Sequence, residues 1–309
     1  MVEINITGNQ AGQRLDKLLK KVLDKAPNSF IYKMLRKKNI KLNDKKAEGR
    51  EMLEKNDNIK IYLADETFDK FSSMRSREKN IQNDTKLQKE CIKIDIVYED
   101  EHILVLDKPA GMLSQASKKG EYSLNGFVAD YIGRTEVGFT PSICNRLDRN
   151  TSGLVVAGKS LLGLQTMSEL IKERRLEKDY IAIVEGKIRE PGEVEKWMIK
   201  DRENNKVVLY DSEVKGSKYS RTGYEPLKVS DRYTMLKIHL YTGRTHQIRS
   251  HMASIGHPVV GDVKYGNGGA RRQLLHSYSL KFPEMDGEFA ALSEKVFYAE
   301  IPQDMKIMG

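Results

Sequence analysis

The sequence contains very little cysteine and no long apolar stretch. Only two of the 309 residues are cysteines, Cys91 and Cys144, and neither has Cys or His neighbours at the spacing of zinc ligands. A disulfide framework is therefore excluded. No run of about 18 apolar residues occurs, so no membrane-spanning helix is predicted. The basic start and apolar core of a signal peptide are also missing from the first residues, MVEINITGNQ, and we expect a cytoplasmic protein.

Positive charge is in excess and is concentrated near the amino terminus. The chain has 53 Lys and Arg against 44 Asp and Glu, a formal net charge of +9. Between Gln13 and Arg50, thirteen basic residues stand against four acidic ones, so this window alone carries the whole excess. Such clustering is typical of proteins that bind polyanions, because each phosphate contact releases condensed counterions. A surface that the lysines merely solvate is the alternative.

Two amphipathic helices are predicted in this basic window. The first has an apolar stripe at helical spacing, formed by Leu15, Leu18, Leu19, Val22 and Leu23. The second is predicted to begin at an Asn28–Ser29 cap and to bury Phe30, Ile31, Met34 and Leu35. The basic residues predicted to contact RNA from the second helix and the strand after it are Lys33, Arg36, Lys37, Lys38 and Lys41.

These elements indicate a small domain at the amino terminus. Strand-like alternation follows the helices, so residues 1–64 are predicted to form a helix-helix-strand-strand unit. Its segments QRLDKLLKK and SFIYKMLRKKNIKLN resemble the alpha-L RNA-binding module named after ribosomal protein S-four, which implies RNA rather than DNA as the ligand. Residues 65–92 are polar and lack periodicity, which predicts a linker before a second domain at 93–309.

The second domain is rich in short strands. At least seven segments of five to eight residues are enriched in β-branched and aromatic residues and bounded by turn residues, from IDIVYED to TMLKIHLY. Helices are predicted near SLNGFVADYIG, LLGLQTMSELIKER and THQIRSHMASIG. Short connections favour antiparallel pairing over repeated βαβ crossovers. The fold class predicted is α+β, with a large mixed, mainly antiparallel sheet.

One segment, CNRLDRNTSG, carries the strongest chemical signal. Asp148 lies between Arg146 and Arg149, whose cations would favour its ionised form. An ionised, positioned aspartate can act as a nucleophile or base. An aspartate that caps a turn and pairs with arginine at the surface has the same local pattern. The residues alone leave both interpretations open.

Resemblance to a known family decides between them. NRLDRNTSGLVVAGK resembles the signature of the RluA-type pseudouridine synthases, and three further blocks occur in the family's order: LEKDYIAIVEG, YTGRTHQIRSHMASIGHPVVGDVKYG and LLHSY. The resemblance covers about residues 92–300. Asn145 departs from the usual His of the signature, which leaves the role of that position open. The resemblance implies a cofactor-independent isomerase that converts uridine to pseudouridine in RNA.

The resemblance also implies roles for individual residues. Asp148 would attack the target nucleotide, either at the sugar C1′ or by removing a sugar proton after glycosidic cleavage. Tyr180 would stack against the target base, and Arg249 would pair with Asp148. Arg146 would fill the gap left in the RNA by the everted uridine. No metal site is predicted, because His246, His251 and His257 lack the spacing of metal-ligand motifs and nearby acids.

Large-subunit (23S) ribosomal RNA is the predicted partner, and we expect a monomer. The stretch DKPAGMLSQ is similar to RluC-like members of the family. Two other functions remain as alternatives. One is an RNA-binding assembly factor whose synthase domain is inactive, and the other is a hydrolase of glycosidic bonds, which would require a second carboxylate beside Asp148.

Overall fold

The computed structural model describes residues 1–8, 10–72, 93–118, 120–133, 139–201, 203–204 and 206–306. The amino-terminal part contains the elements β1 (Val2–Asn5), α1 (Leu15–Val22), α2 (Asn28–Arg36), β2 (Ile40–Leu42), β3 (Lys45–Lys46), β4 (Asn58–Ile61) and α3 (Asp65–Phe71). Its strands form a sheet in the order β1-β4-β2-β3. The apolar stripe predicted for α1 is buried, as are Ile31, Met34 and Leu35 of α2. Both helices therefore pack one face on this sheet and leave their basic face to solvent.

Two details of this unit differ from the sequence prediction. Helix α2 already includes Asn28, its cap position is Pro27, and no side chain caps it. Phe30 is only partly buried, and its ring lies 4.2 Å from that of Phe71, centroid to centroid. Strand β1 was not predicted, because a four-residue strand is too short for alternation to be recognised.

The predicted linker begins too early. Residues 65–71 form α3, and Phe68 in that helix is buried in the core of the amino-terminal unit. The Ser72 hydroxyl donates a hydrogen bond to the Val22 carbonyl at 2.6 Å. Phe68, together with the partly buried Phe71, holds this otherwise polar segment against the amino-terminal core. Residues 73–92 of the predicted linker lie outside the described residues.

The larger sheet confirms the predicted fold class. The elements of this part are β5 (Asp95–Glu99), β6 (Ile103–Lys108), α4 (Leu124–Ile132), β7 (Ser142–Ile143), β8 (Ser152–Gly158), α5 (Leu161–Lys172), β9 (Glu177–Glu185), β10 (Gly192–Asp201), β11 (Lys206–Tyr210), β12 (Lys218–Val229), β13 (Tyr233–Leu240), α6 (Gln247–Ser254), β14 (Leu275–Lys281), a 3-10 helix (Gly287–Leu292), β15 (Val296–Tyr298) and α7 (Gln303–Lys306). The strand order is β11-β10-β12-β13-β9-β14-β8-β6-β5, with β15 paired to β14 and β7 paired to β8. Every described pair is antiparallel except β14 with β8. The sheet is therefore mixed and mainly antiparallel.

Close contact between β8 and β14 determines one residue of the signature segment. Gly153 has φ +108, and a Cβ at this position would lie 2.2 Å from the Ser277 carbonyl oxygen. Only glycine allows this backbone conformation and this approach together. The glycine of the TSG motif thus brings the start of β8, and the loop before it, against the centre of the sheet.

Candidate active site

Asp148 lies in the loop between β7 and β8, at the edge of a pocket. Its side chain is 29% exposed. The residues that line this pocket are Arg146, Leu147, Asp148, Thr151, Tyr180, Leu240, Arg244, His246, Gln247, Ile248, Arg249 and Leu275. Asp148 is the only carboxylate among these described lining residues. The side chain is therefore neither buried away from solvent nor turned outward on an open surface.

The loop that carries Asp148 is held on both sides of it. On one side, the Ser114 hydroxyl donates to the Leu147 carbonyl at 2.7 Å and accepts from the Leu147 amide at 3.0 Å. On the other side, the Gly111 amide donates to the Arg149 carbonyl at 2.8 Å. The Arg149 Nε in turn donates to the Gly111 carbonyl at 3.0 Å. These bonds fix the backbone on either side of the carboxylate.

Lys108 stabilises the same loop from the end of strand β6. It is fully buried at the end of β6, and its Nζ donates to three carbonyls, those of Pro109 at 2.9 Å, Met112 at 2.9 Å and Arg149 at 3.2 Å. Burial lowers the pKa of Lys108 to about 7, and the charge of Asp148 opposes this shift. An ammonium group has three donors and no acceptor, so the three carbonyls satisfy it completely.

We expect replacement of Lys108 by Met to destabilise the fold by about 2–4 kcal/mol, because three carbonyls that hold the loop each lose a hydrogen bond from the buried ammonium group. Urea denaturation measures the change. The control is Lys187→Met, which removes an exposed ion pair with Asp231 and should cost less than about 0.5 kcal/mol. Equal stability of Lys108→Met and the wild type would show that this lysine is not needed to hold the loop.

Asn145, the departure from the family signature, has a local structural role. Its Oδ1 accepts a hydrogen bond from the Val156 amide in β8 at 2.8 Å. Asn145 is not among the residues that line the Asp148 pocket. The carboxamide therefore ties the loop to the neighbouring strand and does not face the site.

Arg249 binds Asp148 on one side and a second carboxylate on the other. Its Nη1 donates to Asp148 Oδ2 at 2.8 Å. Its Nε and Nη2 donate to the two oxygens of Asp262 at 2.6 and 2.8 Å. The cation beside Asp148 is thus a residue 101 positions away in the chain. This is the pairing that the family resemblance implies, and no ion pair of Arg146 or Arg149 with Asp148 is found in the described part of the chain.

Electrostatic interactions stabilise the Asp148–Arg249–Asp262 cluster. Burial alone would lower the pKa of Arg249, but the hydrogen bonds and charges of Asp262 and Asp148 raise it above the ordinary value. Burial would likewise raise the pKa of Asp262, yet the hydrogen bonds from Arg249 lower it. Asp262 is fully buried, so it orients the guanidinium and cannot itself reach a substrate. A pocket-facing carboxylate held by a permanently charged group can act as a nucleophile or base.

Asp262 was missed by the sequence interpretation. It follows Gly261 within GHPVVGDVKYG, one of the segments that resemble the family. Its backbone surroundings also fix it, since Oδ1 accepts from the amides of Lys264 at 2.8 Å and Tyr265 at 3.2 Å. An Asp that accepts from the amides two and three residues further along forms an Asx turn, and Asp after Gly at a turn is the sequence signal that could have indicated this position.

Tyr180 lines the pocket from strand β9 at the centre of the sheet. Its side chain is buried, and the residue is 7% exposed. Burial raises the pKa of its hydroxyl to about 12, so the group is neutral at physiological pH. The structure therefore brings together the three residues predicted to be catalytic, Asp148, Tyr180 and Arg249, from a loop, a strand and a helix.

The start of α6 positions Arg249. The cap position of this helix is His246, which has the left-handed backbone conformation. The buried Gln247 anchors the helix by accepting from the Thr242 hydroxyl at 2.8 Å and donating to the Arg221 carbonyl at 2.9 Å. These bonds tie α6 to strands β12 and β13 and explain why a carboxamide occupies the first helical position.

The predicted RNA-contacting residues fall in two places. Arg146 is exposed at the pocket edge. Lys33, Arg36, Lys37 and Lys38 are exposed on and just after α2, and Lys41 is partly buried in β2. The Lys41 Nζ lies 5.4 Å from the centroid of the Tyr62 ring. Cationic and aromatic groups on one surface are a combination that suits RNA backbones and unpaired bases.

A larger cavity of about 520 Å³ opens elsewhere on the sheet. Its lining differs from that of the Asp148 pocket. Three of its four acidic residues are already paired: Asp179 with Lys237 and His239, Glu193 with Arg221, and Glu177 with Lys281. His251 and His257 lie apart from the Asp148 pocket, bonded to Ser220 and to the Glu185 carbonyl. Among the described residues, no group of three His, Cys, Asp or Glu could hold a metal ion, and no helix is long and apolar enough to cross a membrane.

Comparison with known proteins assigns the chain to a family. The family model described as RNA pseudouridylate synthase matches residues 102–254, which include Asp148, Tyr180 and Arg249. Ribosomal large subunit pseudouridine synthase C of Escherichia coli (strain K12) is 32% identical over 299 residues, which cover 90% of this chain and 88% of that protein. The protein of the same name from Vibrio parahaemolyticus is 29% identical over 289 residues, covering 90% and 87%.

Solved structures show the same fold. Human RNA pseudouridylate synthase domain containing 4 superposes with a TM-score of 0.53 at 21% identity, over 68% of this chain and 90% of that one. Human RNA pseudouridylate synthase domain containing 1 gives the same TM-score at 23% identity, over 70% and 93%. The length and identity of the match to the bacterial proteins, together with the matching family model, show that this chain belongs to the RluA family of RNA pseudouridylate synthases.

Proposed function

We propose that this enzyme isomerises specific uridines in large-subunit (23S) ribosomal RNA, with Asp148 as the residue that attacks the target nucleotide. The observation that supports this most directly is the pocket: one carboxylate faces it, Arg249 pairs with that carboxylate, and Tyr180 lies beside it. The bacterial relatives that cover 90% of the chain are named for the same reaction in the large ribosomal subunit.

The reaction suits a site of this kind. The N1–C1′ bond of uridine breaks, the uracil turns, and a C5–C1′ bond forms; C5 loses a proton and N1 gains one. Atoms and electrons are conserved. A single carboxylate can form and release a bond to the sugar or remove and return a sugar proton. The hydrolase alternative needs a second carboxylate facing the substrate, and Asp262, the other acid near Arg249, is fully buried.

The finer assignments belong to the same proposal. Tyr180 stacks against the everted base, and its neutral hydroxyl is available to donate a proton or a hydrogen bond. Arg146 enters the RNA stack at the pocket edge. The amino-terminal unit, extended to residue 72 by helix α3, binds RNA through its basic face. Specificity is RluC-like, and the protein acts as a cytoplasmic monomer.

A direct test compares pseudouridine maps of ribosomal RNA at single-nucleotide resolution, with and without the gene. We expect named positions in the large-subunit RNA to change from pseudouridine to uridine on deletion, and to be restored by the wild-type gene. Unchanged maps would favour the alternative in which the protein is an RNA-binding assembly factor.

We predict that the basic face of α2 contributes to RNA affinity. Replacing Lys33, Arg36 and Lys37 by Gln should weaken binding to ribosomal RNA fragments about tenfold or more near physiological salt. The salt dependence should also become shallower, with a log–log slope reduced by about 0.7–0.9 for each lost phosphate contact. Titrations over a series of salt concentrations measure both quantities.

A matched control removes the same net charge elsewhere. Lys187, Lys281 and Lys306 are exposed and each is paired with an acid in the larger part of the chain. Their triple replacement by Gln should leave affinity and slope within about twofold of the wild type, because exposed ion pairs contribute little. Equal effects of the two triple variants would show that net charge acts and that α2 has no specific role.

A further inference from the structure

One ring nitrogen of His246 faces the pocket without a partner. The His246 side chain is 9% exposed and lines the same pocket as Asp148. Its Nδ1 lies 2.9 Å from the Tyr265 hydroxyl. Its Nε2 lies 3.8 Å from Asp148 Oδ2, which is too long for a hydrogen bond. No hydrogen bond to Nε2 is found among the residues that the structure describes, so this nitrogen is open to a group bound in the pocket.

The surrounding hydrogen bonds determine which nitrogen carries the proton. The Tyr265 oxygen already accepts from the Val207 amide at 2.7 Å. Its hydroxyl hydrogen has one acceptor within the described contacts, which is His246 Nδ1. If the ring donated instead, this hydrogen would be left without a partner. Nδ1 therefore accepts, and Nε2 carries the ring hydrogen toward the pocket.

The backbone of His246, which orients the ring toward the pocket, is strained. His246 has φ 55 and ψ 17, a left-handed conformation that non-glycine residues seldom adopt. Such strain persists where the surrounding structure fixes it, and it is frequent at functional sites. Burial, helped by Arg249 and Lys264 and opposed by Asp148, lowers the pKa of His246. The ring is therefore neutral at physiological pH and offers one donor.

We propose that His246 is a substrate-binding residue whose Nε2–H donates a hydrogen bond to an oxygen next to C1′ of the everted uridine, either O2 of the uracil or the ribose 2′ hydroxyl. The inference rests on the proposed function. If Asp148 acts at C1′ or at the neighbouring carbon, these two oxygens lie within three bonds of C1′ and therefore close to the carboxylate. They then fall within reach of an N–H group that lies 3.8 Å from the same carboxylate oxygen.

The two acceptors have different chemical consequences. Cleavage of the N1–C1′ bond leaves negative charge on the uracil, part of it on O2. A donor already aimed at O2 binds more tightly as that charge develops, so it would accelerate the bond-breaking step. A donor to the 2′ hydroxyl would instead orient the ribose for attack by Asp148. Both uses require the hydrogen on Nε2, which Tyr265 places there.

The first experiment compares His246→Leu with His246→Gln in single-turnover assays, at saturating enzyme, on an RNA with one target uridine. We expect Leu to lower the rate about 100-fold with RNA affinity within about twofold, because one preorganised donor is lost. Gln should recover most of the rate, since its carboxamide can place an N–H near the position of Nε2. Equal losses for Leu and Gln would show that the side chain only packs, and would overturn the proposal.

Tyr265→Phe provides a second variant that leaves His246 in place. The ring that lies 5.3 Å from the Arg249 guanidinium is kept, while the hydroxyl that fixes the ring hydrogen is lost. We expect an intermediate loss of rate, about fivefold, because the hydrogen can then occupy either nitrogen. A full wild-type rate in Tyr265→Phe would contradict the assigned proton position.

Substrate analogues identify the acceptor. RNAs with 2-thiouridine or 2′-deoxyuridine at the target position weaken or remove one acceptor each. One of them should slow the wild type and have little further effect on His246→Leu. If both analogues slow the two proteins by the same factor, or if His246→Leu is as active as the wild type, the proposal fails while the proposed function stands. A wild type that forms no pseudouridine in any ribosomal RNA would overturn both.

Discussion

Replacing Asp148 by Asn should reduce pseudouridine formation by at least about 10⁴-fold, the scale seen when an essential nucleophile is removed. Asn has the same shape and can still accept a hydrogen bond from Arg249 Nη1, so the loop held by Ser114 and Lys108 should keep its structure. It lacks the negative charge that attack or proton removal needs. Loss of activity in an intact fold is therefore the expected result.

Release of the C5 hydrogen from labelled target uridine measures this rate, and filter binding measures RNA affinity. We expect the affinity of Asp148→Asn to stay within about twofold of the wild type, since the carboxamide has the size and shape of the carboxylate it replaces. Asp231→Asn is the control, because Asp231 is almost fully exposed in a surface ion pair. A rate within about tenfold of the wild type in Asp148→Asn would refute the catalytic role.

Replacing Arg249 by Leu should have the largest effect on stability. The fully buried Asp262 would lose its partner, and breaking a buried ion pair in this way costs about 3–5 kcal/mol. Asp148 would lose its cation at the same time, so the reaction should also be slowed strongly. Urea denaturation and single-turnover kinetics measure the two effects. Arg249→Lys should be intermediate, because an ammonium group cannot bind both carboxylates with the geometry of the guanidinium fork.

The stability lost in Arg249→Leu should decrease as pH falls. Arg249 lowers the pKa of Asp262 below its ordinary value of 3.8. A carboxyl group whose folded pKa is depressed contributes stability above its unfolded pKa, and this contribution is lost as pH falls through the folded pKa. Without Arg249, burial raises the pKa of Asp262. The difference in stability between the wild type and Arg249→Leu should therefore shrink as pH falls from the raised folded pKa of the variant to the lowered folded pKa of the wild type.

A double variant separates stability from catalysis. Adding Asp262→Asn to Arg249→Leu removes the unpaired buried charge, so part of the lost stability should return. Activity should not return, because Asp148 still lacks its guanidinium. Full recovery of activity in the double variant would contradict the role of Arg249 at the site, and no recovery of stability would show that the ion pair is not what stabilises this region.

The sequence predicted those features that repeat locally or resemble a known motif. The apolar stripe of α1, most strands of the larger sheet and the α+β class follow from side-chain periodicity, since one face of each element must be buried. Strands β10 and β14 were missed. β10 mixes charged residues on both faces, with Glu193, Glu195 and Lys196 among its first five positions, which weakens the alternation. Helix α3 depends on one buried phenylalanine within a polar stretch.

The sequence by itself determined the family, the position of the candidate catalytic aspartate and the basic character of the amino-terminal unit, because each depends on contiguous residues. The family resemblance added the expected pairing of Arg249 with Asp148. Only the tertiary structure decided that Asp262 lies behind Arg249 and that a His246 nitrogen faces the same pocket. Arg249 is 101 residues from Asp148 and 13 from Asp262. Pairing between side chains so far apart in the sequence depends on how strands and loops come together in the folded sheet. The local periodicity of the sequence does not indicate which side chains meet.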